Sequence, residues 1–132
     1  MYFYQAYAHY PWKLLLKSGT EGVAISNYGR NLMKEMMLVY DGNQHRYAQI
    51  AGHGFRILAE AMEKDLPYEI RCPSLFICGT KDHAGSCIRY NREWHRKMEI
   101  PLKWIEGAGH NSNTDKLEMI NSLLEEFFSN IL

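Results

Sequence analysis

The chain has 132 residues, of which 46% are hydrophobic and 23% are charged, a composition typical of a soluble globular domain. Its 15 basic and 15 acidic residues cancel, which argues against a nucleic-acid partner or an anionic membrane surface. No apolar run approaches the roughly 20 residues that a membrane span needs, and the N-terminal segment lacks the pattern of a signal peptide. We therefore expect a soluble, cytoplasmic protein without stable membrane insertion.

The spacing of cysteine and histidine argues against a disulfide framework and against a metal site. The three cysteines, Cys72, Cys78 and Cys87, cannot all pair and form no C-x-x-C motif. The six histidines are scattered, with no H-E-x-x-H motif and no pair four residues apart. Reduced thiols, no metal and no other cofactor are expected.

Residues 1–66 are predicted to be helical and are rich in aromatic residues and methionine. A short helical segment is expected at 12–17, and a less regular helix at 21–39. A long amphipathic helix is predicted to follow Asn43, a good N-cap residue, and to end at Leu66 and Pro67 because proline does not continue a helix.

Residues 67–132 show an alternating pattern of strands and helices. The apolar run at 73–78, ended by Gly79, is typical of a strand buried on both faces of a parallel sheet. A second strand is predicted at 102–106. The connection between the two strands is long enough for a parallel crossover, so the sequence predicts a mixed α/β fold with a short parallel sheet.

Two predicted helices of this second region carry apolar stripes at helical spacing. The helix between the strands has a stripe made of Cys87, Tyr90, Trp94 and Met98. The helix after Asn113 and Thr114 has a stripe made of Leu117, Ile120, Leu124, Phe127 and Ile131. Asp115 is expected near the positive N-terminal end of that last helix.

A glycine-containing loop follows each predicted strand, and each loop carries one residue suited to proton transfer. Asp82 lies in the first loop and His110 in the second. Because the carboxyl ends of parallel strands meet at one edge of a sheet, we expect the two side chains to lie close together. A carboxylate bound to one imidazole nitrogen leaves the other nitrogen to accept a proton from a nucleophile. The alternative for Asp82 is a structural role in its turn.

Two motifs give this second region a resemblance to a known family. Residues 71–128 contain CPSLFICGTKDHAG and WIEGAGHNSN. The stretch resembles the C-terminal part of an α/β-hydrolase of the lysophospholipase-like serine esterase group. The resemblance implies that Asp82, in a G-x-x-D turn, is the triad acid and that His110, in G-x-G-H, is the triad histidine.

The resemblance also implies a domain organisation and an activity. Residues 1–66 would be the helical cap, and residues 67–132 the C-terminal part of the hydrolase core. The implied substrate is a small amphiphilic carboxylic ester, similar to a lysophospholipid or an acylglycerol. Tyr10, Trp12 and Met36 are expected to line the acyl pocket, with packing inside the cap as the alternative.

The nucleophile of this family has no counterpart in the sequence. No G-x-S-x-G motif is present, and Ser86 or Cys87 as substitutes compete with a role in helix packing. We therefore expect the chain to be inactive alone, as a fragment that self-associates or pairs with a missing N-terminal half. Half of a split enzyme and a non-catalytic binding module derived from a hydrolase are the alternatives.

Overall fold

The computed structural model describes residues 2–64 and 69–131, and within them it shows a mixed α/β fold. Helices occupy most of the chain, and two short strands form a sheet. In chain order the elements are α1 (Tyr2–His9), α2 (Trp12–Glu21), α3 (Asn27–Leu38), α4 (Gln44–Glu63), β1 (Phe76–Gly79), α5 (Cys87–Met98), β2 (Leu102–Ile105), α6 (Ser112–Asp115) and α7 (Leu117–Ser129).

Strands β1 and β2 pair in parallel, with Phe76 opposite Leu102 and Gly79 opposite Ile105. Helix α5 connects them and contacts both strands. The predicted strand, helix, strand order is confirmed. Strand β1 begins at Phe76, three residues later than the apolar run suggested, and the N–H of Phe76 donates to the carbonyl of Pro101 at 2.9 Å. The carboxyl ends of both strands therefore lie at the same edge of the sheet.

The core of the α/β region is small. Ile105, Ala108 and Ile120 are buried, and Ile77 and Leu123 pack against them. Not all of the apolar stripe on the last helix is buried, since three of its members are exposed: Leu117, Leu124 and Ile131. Two strands span about 5 Å across the sheet, whereas a helix with its side chains is about 10 Å wide, so the sheet covers only part of the predicted stripe.

The helical region is held by contacts between aromatic rings. Helix α1 packs against α4, and α2 packs against α3. Tyr47 of α4 meets the rings of Tyr7, Trp12 and Tyr40 edge-on, with centroids 5.7 to 6.0 Å apart. None of the helices in the described part of the chain combines the length and the apolar character needed to cross a bilayer.

The N-terminal end of α4 agrees with the sequence prediction. Asn43 is its N-cap, and the side-chain oxygen accepts the N–H of Arg46 at 3.3 Å. The predicted stop at Leu66 and Pro67 lies outside the described residues.

The boundaries of α2 and α3 differ from those predicted. Helix α2 runs to Glu21 instead of ending at Lys17, and α3 begins only at Asn27. Ser26 is the N-cap of α3, because its hydroxyl accepts the N–H of Gly29 at 2.9 Å. Because an N-cap residue has non-helical backbone angles, Ser26 excludes one continuous helix through 21–39.

Candidate catalytic site at the edge of the parallel sheet

The loops that follow β1 and β2 are joined to each other by hydrogen bonds. The N–H of Thr80 donates to the carbonyl of Ile105 at 3.0 Å, and the N–H of Lys81 donates to that of Ala108 at 2.9 Å. In the opposite direction, the N–H of Gly107 donates to the Thr80 hydroxyl at 2.9 Å. The two loops therefore lie side by side, and the residue that follows Lys81 is held next to the second loop.

Gly79 makes this close approach possible. A Cβ atom at this position would overlap the carbonyl oxygens of Ala108 and Gly109. Gly107 starts the second loop with a φ of 72°, which residues with a side chain rarely adopt. Gly79 is thus needed for steric reasons, and Gly107 for its backbone conformation.

Asp82 and His110 form a hydrogen bond at this edge of the sheet. Nδ1 of His110 lies 3.0 Å from Oδ2 of Asp82, and Oδ1 of Asp82 accepts the N–H of Ala84 at 2.9 Å. The Asp82 side chain is 5% exposed and the His110 side chain is 44% exposed. A carboxylate acceptor at Nδ1 favours the tautomer that carries its proton there, which leaves Nε2 able to accept a proton. A nitrogen that can accept a proton is one component of general base catalysis.

Asp115 anchors the histidine loop to the helical region. Its carboxylate accepts the N–H groups of Ile25 at 3.0 Å, Ser26 at 2.8 Å and Gly109 at 2.8 Å. Partial burial raises the pKa of Asp115, but the backbone hydrogen bonds from Ser26, Gly109 and Ile25 outweigh it, and the pKa lies below its usual value. One carboxylate thus fixes the residue before His110 and the loop before α3.

Asp115 precedes the last helix and is not part of it. It ends the short helix α6, and Lys116, with a φ of −140°, separates it from α7. A second bond, from the N–H of Asn111 to the carbonyl of Val23 at 2.8 Å, also joins the histidine loop to the α2–α3 loop. No local signal indicates these contacts, because the partners are about 90 residues apart in the chain.

Cys87, the first residue of α5, lies near the pair. One ligand atom from each of Asp82, Cys87 and His110 falls within 4.8 Å of the other two. Burial raises the pKa of the Cys87 thiol, and the negative charge of Asp82 raises it further. Both effects disfavour the thiolate, which is the nucleophilic form of cysteine.

The residues proposed to line an acyl pocket lie in the helical region. Trp12 is partly buried with its ring 5.7 Å from that of Tyr47, while Tyr10 and Met36 are exposed. Within the described residues, no hydrogen bond or ring contact joins these side chains to Asp82 or His110. Their role in substrate binding stays a prediction.

Comparison of the chain with protein-family models, with curated proteins and with solved structures found no match. The interpretation of the site therefore depends on its own geometry and chemistry.

Proposed function

We propose that Asp82 and His110 are the acid and the base of a serine hydrolase of the α/β-hydrolase class. The observation that carries the proposal is the hydrogen bond of 3.0 Å between Nδ1 of His110 and Oδ2 of Asp82. The difference in exposure supports it, because a buried carboxylate orients the ring while the more exposed ring can reach a reacting group.

In the proposed reaction, Nε2 of His110 removes the proton from a serine hydroxyl as its oxygen attacks the ester carbonyl. The Asp82 carboxylate stabilises the resulting imidazolium through Nδ1. The imidazolium then donates its proton to the departing alcohol, and a water molecule activated in the same way releases the acid. The proposal assigns the serine to a polypeptide segment other than residues 1–132, so this chain by itself is expected to be inactive.

The proposed substrate is an amphiphilic carboxylic ester such as a lysophospholipid or an acylglycerol. The balance of charge in the chain supports a substrate without a large net charge. Tyr10, Trp12 and Met36 are proposed to contact its acyl chain. A cytoplasmic location is part of the proposal, and the free thiols of Cys72, Cys78 and Cys87 support it.

Ester hydrolysis by the protein encoded by the whole open reading frame tests the assignment. Chromogenic esters of increasing acyl length would be assayed with the unaltered protein, His110→Ala and Asp82→Asn. We expect kcat/KM to fall by about 10³ to 10⁴ in both variants, because one removes the base and the other disturbs its tautomer. His83→Ala is the matched control, since His83 is exposed and adjacent to Asp82 in the chain. Full activity in His110→Ala would contradict the proposal.

A fluorophosphonate probe separates the enzyme from the alternative, a binding module derived from a hydrolase. Labelling of one serine in the encoded protein, lost in His110→Ala and retained in His83→Ala, supports the enzyme. A folded protein that is not labelled and hydrolyses no ester supports the binding module.

A further inference from the structure

Asp82, Cys87 and His110 are three residues of types that commonly bind metal ions, and they come from two loops and the start of a helix. Their ligand atoms lie within 4.8 Å of one another, and no other group of three His, Cys, Asp or Glu residues in 2–64 and 69–131 meets this condition. We propose that these side chains together bind one divalent transition-metal ion, and that Zn²⁺ matches them best.

The distances suit a tetrahedral ion after a small adjustment. Bonds of roughly 2.0 to 2.3 Å from Zn²⁺ place neighbouring ligand atoms about 3.3 to 3.6 Å apart. Oδ2 of Asp82 and Nδ1 of His110 are 3.0 Å apart, so they would separate by a few tenths of an ångström. The sulfur of Cys87 would approach by about 1.5 Å at most, given that the group already falls within 4.8 Å.

The ligand types select among cations. A thiolate and an imidazole favour Zn²⁺ and related transition metals, whereas Mg²⁺ and Ca²⁺ bind through oxygen atoms. The thiolate of Cys87 and the carboxylate of Asp82 together carry two negative charges, which neutralise a divalent ion. A neutral cluster reduces the cost of placing the ion beside the buried Asp82 side chain.

The surroundings of the site support both orientation and access. The N–H of Ala84 holds Oδ1 of Asp82 at 2.9 Å, which leaves Oδ2 directed to the cluster. His110 is 44% exposed in its side chain, so an ion can enter from solvent and keep a water molecule as its fourth ligand.

Metal binding has a defined proton balance. The coordinating nitrogen of His110 must carry no proton, so the single ring proton resides on the other nitrogen. The thiol of Cys87 loses its proton to solvent, and one proton is released for each ion bound. The ion would occupy Nδ1 of His110 and Oδ2 of Asp82, so it replaces the hydrogen bond that the hydrolase proposal uses. A bound ion would therefore inhibit the proposed ester hydrolysis, whereas metal binding itself is measured without an ester.

Co²⁺ titration of the reduced, chelator-treated chain is the direct test, because Co²⁺ replaces Zn²⁺ and is coloured. We expect one equivalent to produce a thiolate charge-transfer band in the near ultraviolet and the visible bands of a tetrahedral ion. Zn²⁺ should remove both sets of bands, and a pH indicator should report one proton released. Absence of a charge-transfer band in excess Co²⁺ overturns the proposal.

Matched variants locate the site. Cys87→Ser should abolish the charge-transfer band, while Cys72→Ser, at an exposed cysteine outside the cluster, should retain it. His110→Ala should lower Zn²⁺ affinity more than about tenfold, whereas His83→Ala should leave it unchanged. A band that persists in Cys87→Ser contradicts the assignment.

If Cys87→Ser does not fold, protection of Cys87 from alkylation tests the proposal in the unaltered chain. In the unaltered chain, Zn²⁺ should slow the reaction of Cys87 with iodoacetamide, measured by peptide mass spectrometry, and leave the rate at Cys72 unchanged. Equal alkylation of Cys87 with and without Zn²⁺ overturns the proposal.

Discussion

Different kinds of contact stabilise the α/β region, residues 69–131, and the helical region, residues 2–64. In the α/β region, backbone hydrogen bonds join the two loops that carry Asp82 and His110, and the apolar core beneath them is small. In the helical region, ring contacts around Tyr47 join the helices, and one side of α4 stays exposed through Ile50, Ile57, Leu58 and Met62. Specific polar contacts therefore position the candidate site, and a large core is not required near it.

Overpacking at Gly79 is expected to have the largest effect on the α/β region. Gly79→Ala would place a methyl group against the carbonyl oxygens of Ala108 and Gly109, so the two loops must separate. We expect the free energy of unfolding to fall by roughly 3 kcal/mol or more, measured by urea denaturation. The NMR signals of the His110 ring should also shift. An unchanged midpoint and unchanged signals would contradict the close approach of the loops.

Removal of the charge at Asp115 tests the link between the two regions. Asp115→Asn weakens the bonds to Ile25, Ser26 and Gly109, and we expect a loss of about 2 to 3 kcal/mol in the free energy of unfolding at neutral pH. Glu118→Gln, at an exposed residue of α7, is the control and should change stability by less than about 0.5 kcal/mol. Equal effects of the two substitutions would show that the link contributes no stability.

The stabilising contribution of Asp115 is expected to depend on pH. The pKa of Asp115 in the folded chain lies below its usual value of 3.8, because the backbone hydrogen bonds outweigh the effect of burial. Its stabilising contribution is therefore complete above the unfolded pKa and is lost as the pH falls through the folded pKa. The difference in stability between the unaltered chain and Asp115→Asn should shrink in acid. A difference that is constant from pH 7 to pH 3 would contradict this assignment.

Substitutions at two glycines of α4, in the helical region, are expected to have the smallest effect. A Cβ at Gly54 meets no atom within 4 Å, so Gly54→Ala should raise the free energy of unfolding by about 0.5 to 1 kcal/mol through helix propensity. A Cβ at Gly52 would lie 3.2 Å from Cβ of Tyr4, and Gly52→Ala should offset that gain by separating α1 from α4. Thermal unfolding followed by circular dichroism compares them. Equal stabilisation by both would argue against the close packing of α1 on α4.

Much of the local structure followed from the sequence alone. The apolar runs predicted two parallel strands with a helix between them, and Asn43 marked the start of α4. The loops after the strands indicated that Asp82 and His110 would meet, and the structure brings them into hydrogen-bond contact. These features were accessible because strand periodicity, helix caps and the meeting of strand ends at one edge depend on residues close together in the chain.

The remaining features depend on tertiary contacts. The contacts of Asp115 and the approach of Cys87 to His110 involve segments that are distant in the chain. The break between α2 and α3, in contrast, has a local signal in the N-cap residue Ser26. A carboxylate at residue 115 has the same local appearance whether it caps its own helix or binds Ile25, because the choice depends on which N–H groups the fold leaves without another partner. The sequence therefore determined which side chains could perform proton transfer, and packing determined what surrounds them.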